Sequence, residues 1–153
     1  MKKEVKVKIQ GVSVLLFAGY LLCMTYFLFF AENFGRAGTE RAYAYNLELF
    51  KEIKRFWNYR EELGIFAVFS NIAGNVICFL PFGSILPVLS RKARSFWVIT
   101  FLSFDFSLLV ECTQLIFKVG SFDVDDLFLN TLGGMLGFFI FTVCNVIRRK
   151  HYG

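Results

Sequence analysis

Four long apolar stretches dominate this chain and limit what it can fold into. They run from about residue 9 to 31, 63 to 80, 95 to 117 and 127 to 147. Each approaches the ~20 residues that an α-helix needs to cross ~30 Å of hydrocarbon. Because backbone amides have no water to bond in that region, helices are the favoured solution. The sequence therefore predicts an all-α integral membrane protein with four transmembrane helices in a single domain, residues 1–153.

The composition agrees with a membrane location. The chain is 56% hydrophobic, contains 21 Phe among 153 residues and has a mean hydropathy of +0.55. Soluble domains have a smaller apolar share. The net charge of +5 comes from clusters beside the apolar stretches, whereas nucleic-acid binding favours a continuous basic stripe. We therefore expect the lipid bilayer, and no nucleic acid, as a partner.

The basic clusters also predict the orientation of the chain. Lys and Arg gather at residues 2–8, 91–94 and 148–150, and short flanks rich in these residues stay in the cytoplasm. Residues 32–62 carry six basic and six acidic side chains, and residues 118–126 carry one and three. We expect those two segments to face outward. The prediction is a multi-pass protein of the cell membrane with both termini cytoplasmic.

The outer segment between the first and second spans has a helical pattern of its own. Between residues 43 and 60, apolar side chains recur at steps of three and four, with charged residues on the other faces, at Leu49, Phe50, Ile53, Phe56 and Trp57. The pattern predicts an extracellular amphipathic helix that lies at the membrane interface. Two roles stay open for it, a cap that closes the bundle and a lid that gates a ligand.

The third span carries a polar stripe. Steps of three and four residues align Thr100, Ser103, Ser107, Glu111, Gln114 and Lys118 on one face. Glu111 is the notable member, because an ionised group at the bilayer centre costs about 2.5–3.5 kcal/mol on insertion scales. We expect this face to point into the bundle.

The fourth span begins with a second polar face, Asp123, Asp126 and Asn130, which continues into Gly133 and Gly137. A short turn pairs this helix with the third. The second span, which we expect to end at Pro81-Phe82-Gly83, adds the amide of Asn75. The predicted ligand-binding set is Asn75, Glu111, Gln114, Asp123, Asp126 and Asn130. Such a set can share protons, hold a cation or meet a cationic or hydroxyl-rich ligand, and it identifies neither metal nor cofactor. Helix N-capping is the alternative for the two aspartates.

These residues carry a resemblance. Asn75, Phe79, Pro81 and Gly83 follow an N-x-x-x-F-x-P-x-G element. The segment from Glu111 to Gly137 follows E-x-x-Q and then D-x-x-D-x-x-x-N-x-x-G. The chain resembles the VanZ family of small membrane proteins, which implies a link to teicoplanin and lipoglycopeptide resistance in Gram-positive bacteria. It departs from the family in two places. Residues 120–122 lack the Arg that many members carry before the first Asp, and residues 46–50 keep only part of the family's Asn-Leu-x-Pro-Phe element.

Familiar catalytic sets are missing from the sequence. The single histidine, His151, is in the predicted cytoplasmic tail, which argues against a Ser/His/Asp triad or a Cys/His pair. Three hypotheses stay open. The protein binds or shields a cell-wall precursor, an envelope lipid or a lipoglycopeptide; it is an intramembrane enzyme with Glu111 and Asp126 as catalytic groups; or its polar cluster is a hydrogen-bond network that joins two helices.

Overall fold

The computed structural model describes residues 3–30 and 43–152. Within these ranges the chain is almost entirely helical, with one pair of two-residue strands. The elements are α1 (Lys3–Phe30), β1 (Tyr45–Asn46), α2 (Lys51–Asn58), α3 (Arg60–Leu63), α4 (Ile65–Leu89), α5 (Phe96–Phe117), β2 (Phe122–Asp123) and α6 (Val124–Tyr152).

Four of these helices are long and apolar enough to cross a membrane. The candidate spans are Val7–Tyr26 in α1, Val68–Leu89 in α4, Phe96–Phe117 in α5 and Val124–Lys150 in α6. The prediction of an all-helical integral membrane protein is therefore confirmed.

The expected end of the second span at Pro81-Phe82-Gly83 is wrong. Helix α4 continues through Pro81 and Pro87 to Leu89. A proline removes one backbone donor, which a membrane helix tolerates when neighbours hold the chain in place. Here Phe82 and Gly83, which directly follow Pro81, are buried against neighbouring helices. The contacts around the prolines thus keep α4 continuous.

Glycines bring α4 and α6 into close contact. An added Cβ at Gly83, Gly133 or Gly137 would overlap backbone atoms of the opposite helix. Gly133 lies against Val76, and Gly137, one turn further along α6, lies against Leu80, one turn further along α4. The two helices are therefore parallel. The predicted packing role of the glycines in the fourth span is confirmed.

An aromatic cluster joins the remaining helices to α4. Phe79 and Phe82 are buried, and the Phe82 ring stacks on Phe106 of α5 with centroids 4.9 Å apart. Phe17 of α1 meets Phe82 at 6.0 Å. Helix α5 returns antiparallel beside α6, with Ser103 against Gly134.

Residues 43–62, which are predicted to face outward and are called the outer segment below, contain less helix than their sequence pattern indicates and make more contacts with the bundle. Helix α2 begins only at Lys51, because the preceding residues form β1 and a turn. Strand β1 pairs in parallel with β2, Tyr45 opposite Phe122 and Asn46 opposite Asp123. This pair ties the outer segment to the turn between α5 and α6.

The glycine contact predicts unequal effects of two alanine substitutions. Gly137→Ala should lower the free energy of unfolding by about 1–3 kcal/mol, because its Cβ meets backbone that cannot rotate away. Gly74→Ala should be neutral or stabilising, since nothing lies within 4 Å of its added Cβ. Reversible unfolding in detergent checks both, and equal effects would contradict the close α4–α6 contact.

Candidate functional site

Glu111 closes the turn between α5 and α6. Its side chain is buried, at 2% exposure, and its Oε2 accepts a hydrogen bond from the Asp123 backbone N–H at 2.9 Å. Ser103 and Ser107 on the same face of α5 are also buried, which confirms that this face points into the bundle. Glu111 therefore has a structural partner inside the protein.

The rest of the turn depends on Gln114. Helix α5 ends at Lys118, which adopts the left-handed conformation with φ 54°. The Gln114 carbonyl then accepts the Val119 N–H at 3.0 Å, and its side chain lies against Gly120. A Cβ at Gly120 would come within 3.1 Å of the Gln114 side chain, so a larger residue here would require that side chain to shift. In this structure Gln114 therefore lies beside the turn.

Asn130 joins α6 to α5. Its Nδ2 donates to the Ser107 hydroxyl oxygen at 2.9 Å, and both side chains are buried. Asn130 thus pairs with a serine of the predicted stripe, one turn from Glu111. The hypothesis of a hydrogen-bond network between these helices describes this part of the cluster.

Asn75 and Asp126 form a separate pair across the α4–α6 contact. Asn75 Nδ2 donates a hydrogen bond to Asp126 Oδ1, and both residues are half-buried. Their pairing aligns the middle of α4 with the first turn of α6, so about two turns of α4 extend beyond the start of α6. The outer segment packs beside this extension.

Asp123 caps α6 and also forms a hydrogen bond with the outer segment. Its Oδ1 accepts the Asp125 N–H at 2.8 Å, which is the N-capping alternative considered for it. The same oxygen accepts Asn46 Nδ2 at 3.1 Å. Burial raises the pKa of the Asp123 carboxyl, although the hydrogen bonds from Asp125 and Asn46 and the charge of Arg55 favour its ionised form.

Asp125 has a role that sequence analysis missed. Its side chain is 1% exposed, and its carboxylate accepts backbone N–H groups from Phe50, Glu52 and Ile53. A third carboxylate at the start of α6 was visible in the sequence. Its partners were not, because they lie more than 70 residues earlier in the chain and meet it only after folding.

The six predicted site residues thus occupy two different environments. Glu111 and Asn130 stabilise the α5–α6 hairpin through buried hydrogen bonds, Gln114 lies beside its turn, and Asp123 binds Asn46 of the outer segment. The half-buried pair Asn75–Asp126 retains a carboxylate and an amide at the protein surface. Among residues 3–30 and 43–152, no group of three His, Cys, Asp or Glu side chains has a metal-binding arrangement.

An apolar cavity lies on the same helix as Asn75. It has a volume of about 280 Å³ and lies between α2 and α4. Its lining is wholly apolar and consists of Trp57, Val68, Phe69, Ile72, Ala73, Val76 and Ile77. Ile72 and Val76 lie within one turn of Asn75, so a polar pair and an apolar cavity share this part of α4.

The Ser107–Asn130 contact predicts measurable coupling. In a double-mutant cycle, Ser107→Ala and Asn130→Ala should show an interaction free energy of about 0.6–1.7 kcal/mol, the size found for buried hydrogen bonds between membrane helices. Unfolding free energies in detergent provide the measurement. Thr142→Ala is the control, since the exposed Thr142 hydroxyl bonds only within its own helix, to the Phe138 carbonyl. Additive effects at Ser107 and Asn130 would contradict the contact.

Comparison with known proteins agrees with the motifs on α4, α5 and α6. A family profile described as VanZ/LLP1 matches residues 17–145. Protein VanZ of Enterococcus faecium is 39% identical over 77 residues, which cover 50% of this chain and 47% of that relative. The chain thus spans about half the length of the curated relative it matches, and no solved structure matches it. Because the profile covers most of the chain, including every predicted site residue, the protein belongs to the VanZ/LLP1 family.

Proposed function

We propose that this protein is a glycopeptide-resistance membrane protein of the Gram-positive cell envelope. In this proposal it lowers sensitivity to teicoplanin and related lipoglycopeptides by binding or shielding an envelope ligand at an outward-facing polar site. Family membership supports the general assignment. The choice of binding over catalysis comes from the site, where the buried side chains of Glu111, Asp123 and Asn130 already have hydrogen-bond partners within the protein.

The observation that carries the proposal is the half-buried Asn75–Asp126 pair. Both side chains lie among apolar helices, where polar groups are costly unless they meet a partner or water. The pair leaves one Asp126 oxygen and the Asn75 carbonyl oxygen outside its own hydrogen bond. These are acceptors for the hydroxyl or ammonium groups of a ligand.

The neighbouring cavity narrows the class of ligand. An amphiphile can place a polar head against Asn75 and Asp126 and an acyl chain against the apolar lining of Ile72 and Val76. A lipid-linked cell-wall precursor, an envelope lipid and a lipoglycopeptide all have this construction. The site therefore favours a lipid-bearing ligand over a small polar one.

The proposed orientation follows from charge. Basic clusters at residues 2–8, 91–94 and 148–150 assign both termini and the α4–α5 loop to the cytoplasm. The outer segment with α2 and the α5–α6 turn then face outward. Asp126, in the first turn of α6, is near the outer surface in this arrangement.

The proposal predicts that a substitution in the Asn75–Asp126 pair removes teicoplanin protection without lowering membrane abundance. In a Gram-positive host that expresses the protein, Asp126→Asn should abolish protection against teicoplanin while membrane abundance holds. Asparagine keeps one acceptor oxygen for Asn75, but it loses the charge and replaces the second acceptor oxygen by a donor. Susceptibility and membrane abundance are measured in parallel. Asp105→Asn is the matched control, since Asp105 is exposed on α5 and should leave both unchanged.

Two further variants test whether Asn130 and Glu111 have structural roles, in contrast to the Asn75–Asp126 pair. Asn130→Ala should reduce abundance and protection together, because it removes a buried contact between α5 and α6. Glu111→Gln keeps an acceptor for the Asp123 N–H and should preserve abundance. Full protection by the Asp126→Asn variant would overturn the proposed site.

A further inference from the structure

Helix α2 lacks a cap from its own sequence. The first N–H groups of a helix have no partner inside it and are usually bonded by a side-chain oxygen at the N-cap. The N-cap position here is Phe50, which has no such oxygen and adopts the left-handed conformation with φ 66°. This conformation is rare for a residue other than glycine, so other contacts must hold the chain here.

Asp125 of α6 provides the missing cap. One carboxylate oxygen accepts the Phe50 N–H, and the other accepts those of Glu52 at 2.9 Å and Ile53 at 3.2 Å. Glu52 and Ile53 are the second and third residues of α2, whose N–H groups an N-cap side chain normally satisfies. A negative charge at a helix N-terminus is also favourable because of the helix dipole.

The hydrogen bonds from Asp125 to α2 are one of several sets of contacts between the outer segment and the start of α6. The Phe122 N–H donates to the Ala44 carbonyl at 3.0 Å, beside the β1–β2 pairing. Phe50 also packs edge-on against Phe128 of α6, with centroids 5.5 Å apart. These contacts place α2 across the outer ends of α4 and α6.

The position of α2 bears on the Asn75–Asp126 pair. Trp57, near the end of α2, lines the apolar cavity of α4. Glu52 is near enough to Asp126 for their charges to interact, and Arg55 is near enough to Asp123. Glu52 and Arg55 pair with each other at 2.8 Å. The orientation of α2 therefore sets which groups border the polar pair and its cavity.

We propose that Asp125 is a positioning residue, which caps α2 from a distance and thereby seats it as a cover over the Asn75–Asp126 pair and the apolar cavity. Asp125 does not touch the ligand in this scheme; it acts through α2. The functional part of this inference rests on the proposed function, whereas the seating of α2 stands apart from it.

A disulfide between the two strands reports whether the segment that leads into α2 lies against the start of α6. Tyr45 and Phe122 are register partners, and neighbouring strands lie ~4.8 Å apart, within the range that a disulfide spans. Tyr45→Cys and Phe122→Cys are introduced into the full chain after the four free cysteines, Cys23, Cys78, Cys112 and Cys144, are replaced by Ala. The rate of disulfide formation is measured in membranes under mild oxidation.

Asp125→Ala should slow disulfide formation about tenfold, because it removes three hydrogen bonds to a charged group. Asp125→Asn is the conservative second variant; it keeps the volume of the side chain and replaces one acceptor oxygen by a donor. Asp105→Asn serves as the control and should leave the rate unchanged. Membrane abundance is measured for each variant.

The functional readout is teicoplanin protection by the same variants. Loss of protection in Asp125→Ala, with recovery once the 45–122 disulfide has been closed by oxidation, is the expected result. An unchanged rate of disulfide formation in both Asp125 variants would overturn the proposal, as would full protection when the rate is reduced. If the wild-type chain gives no protection, the proposed function fails, and the rate still decides whether Asp125 seats α2.

Discussion

The close contact between α4 and α6 is the constraint on which the rest of this structure depends. Gly83, Gly133 and Gly137 allow the two backbones to meet at distances that any side chain would prevent. Because the helices are parallel and in fixed register, this contact also brings Asn75 of α4 to Asp126 of α6. The packing of apolar helices and the placement of the polar pair therefore have the same physical cause.

The carboxylates at the α5–α6 turn have two roles: three of them bond backbone N–H groups, and one bonds a side chain. Glu111 and Asp123 satisfy backbone donors of the turn and of α6, and Asp125 satisfies those of α2. All three carboxylates are buried, and each gives a hydrogen-bond partner to backbone N–H groups, which would be costly to bury without one. Asp126 bonds instead to a side chain and remains half-buried, which distinguishes it from the other three and makes it the candidate ligand-contacting carboxylate.

Much of this architecture could be predicted from residue order. The lengths of the apolar stretches indicate four spans, and steps of three and four residues place Ser103, Ser107 and Glu111 on one buried face. The end of α4 could not be predicted locally. Pro81 usually stops a helix, but Phe82 and Gly83 are held by contacts with α5 and α6 that no local pattern contains.

The sequence by itself determined the membrane location, the helical class and the set of polar residues near the site, because apolar length and helical periodicity are local properties. Only the tertiary structure decided which polar groups pair with each other. Asn130 bonds to Ser107, Asn75 to Asp126, and Asp125 to the backbone of α2. Those pairings depend on helix register, on the turn at Gly120 and on contacts between segments more than 70 residues apart, which spacing along one chain does not encode.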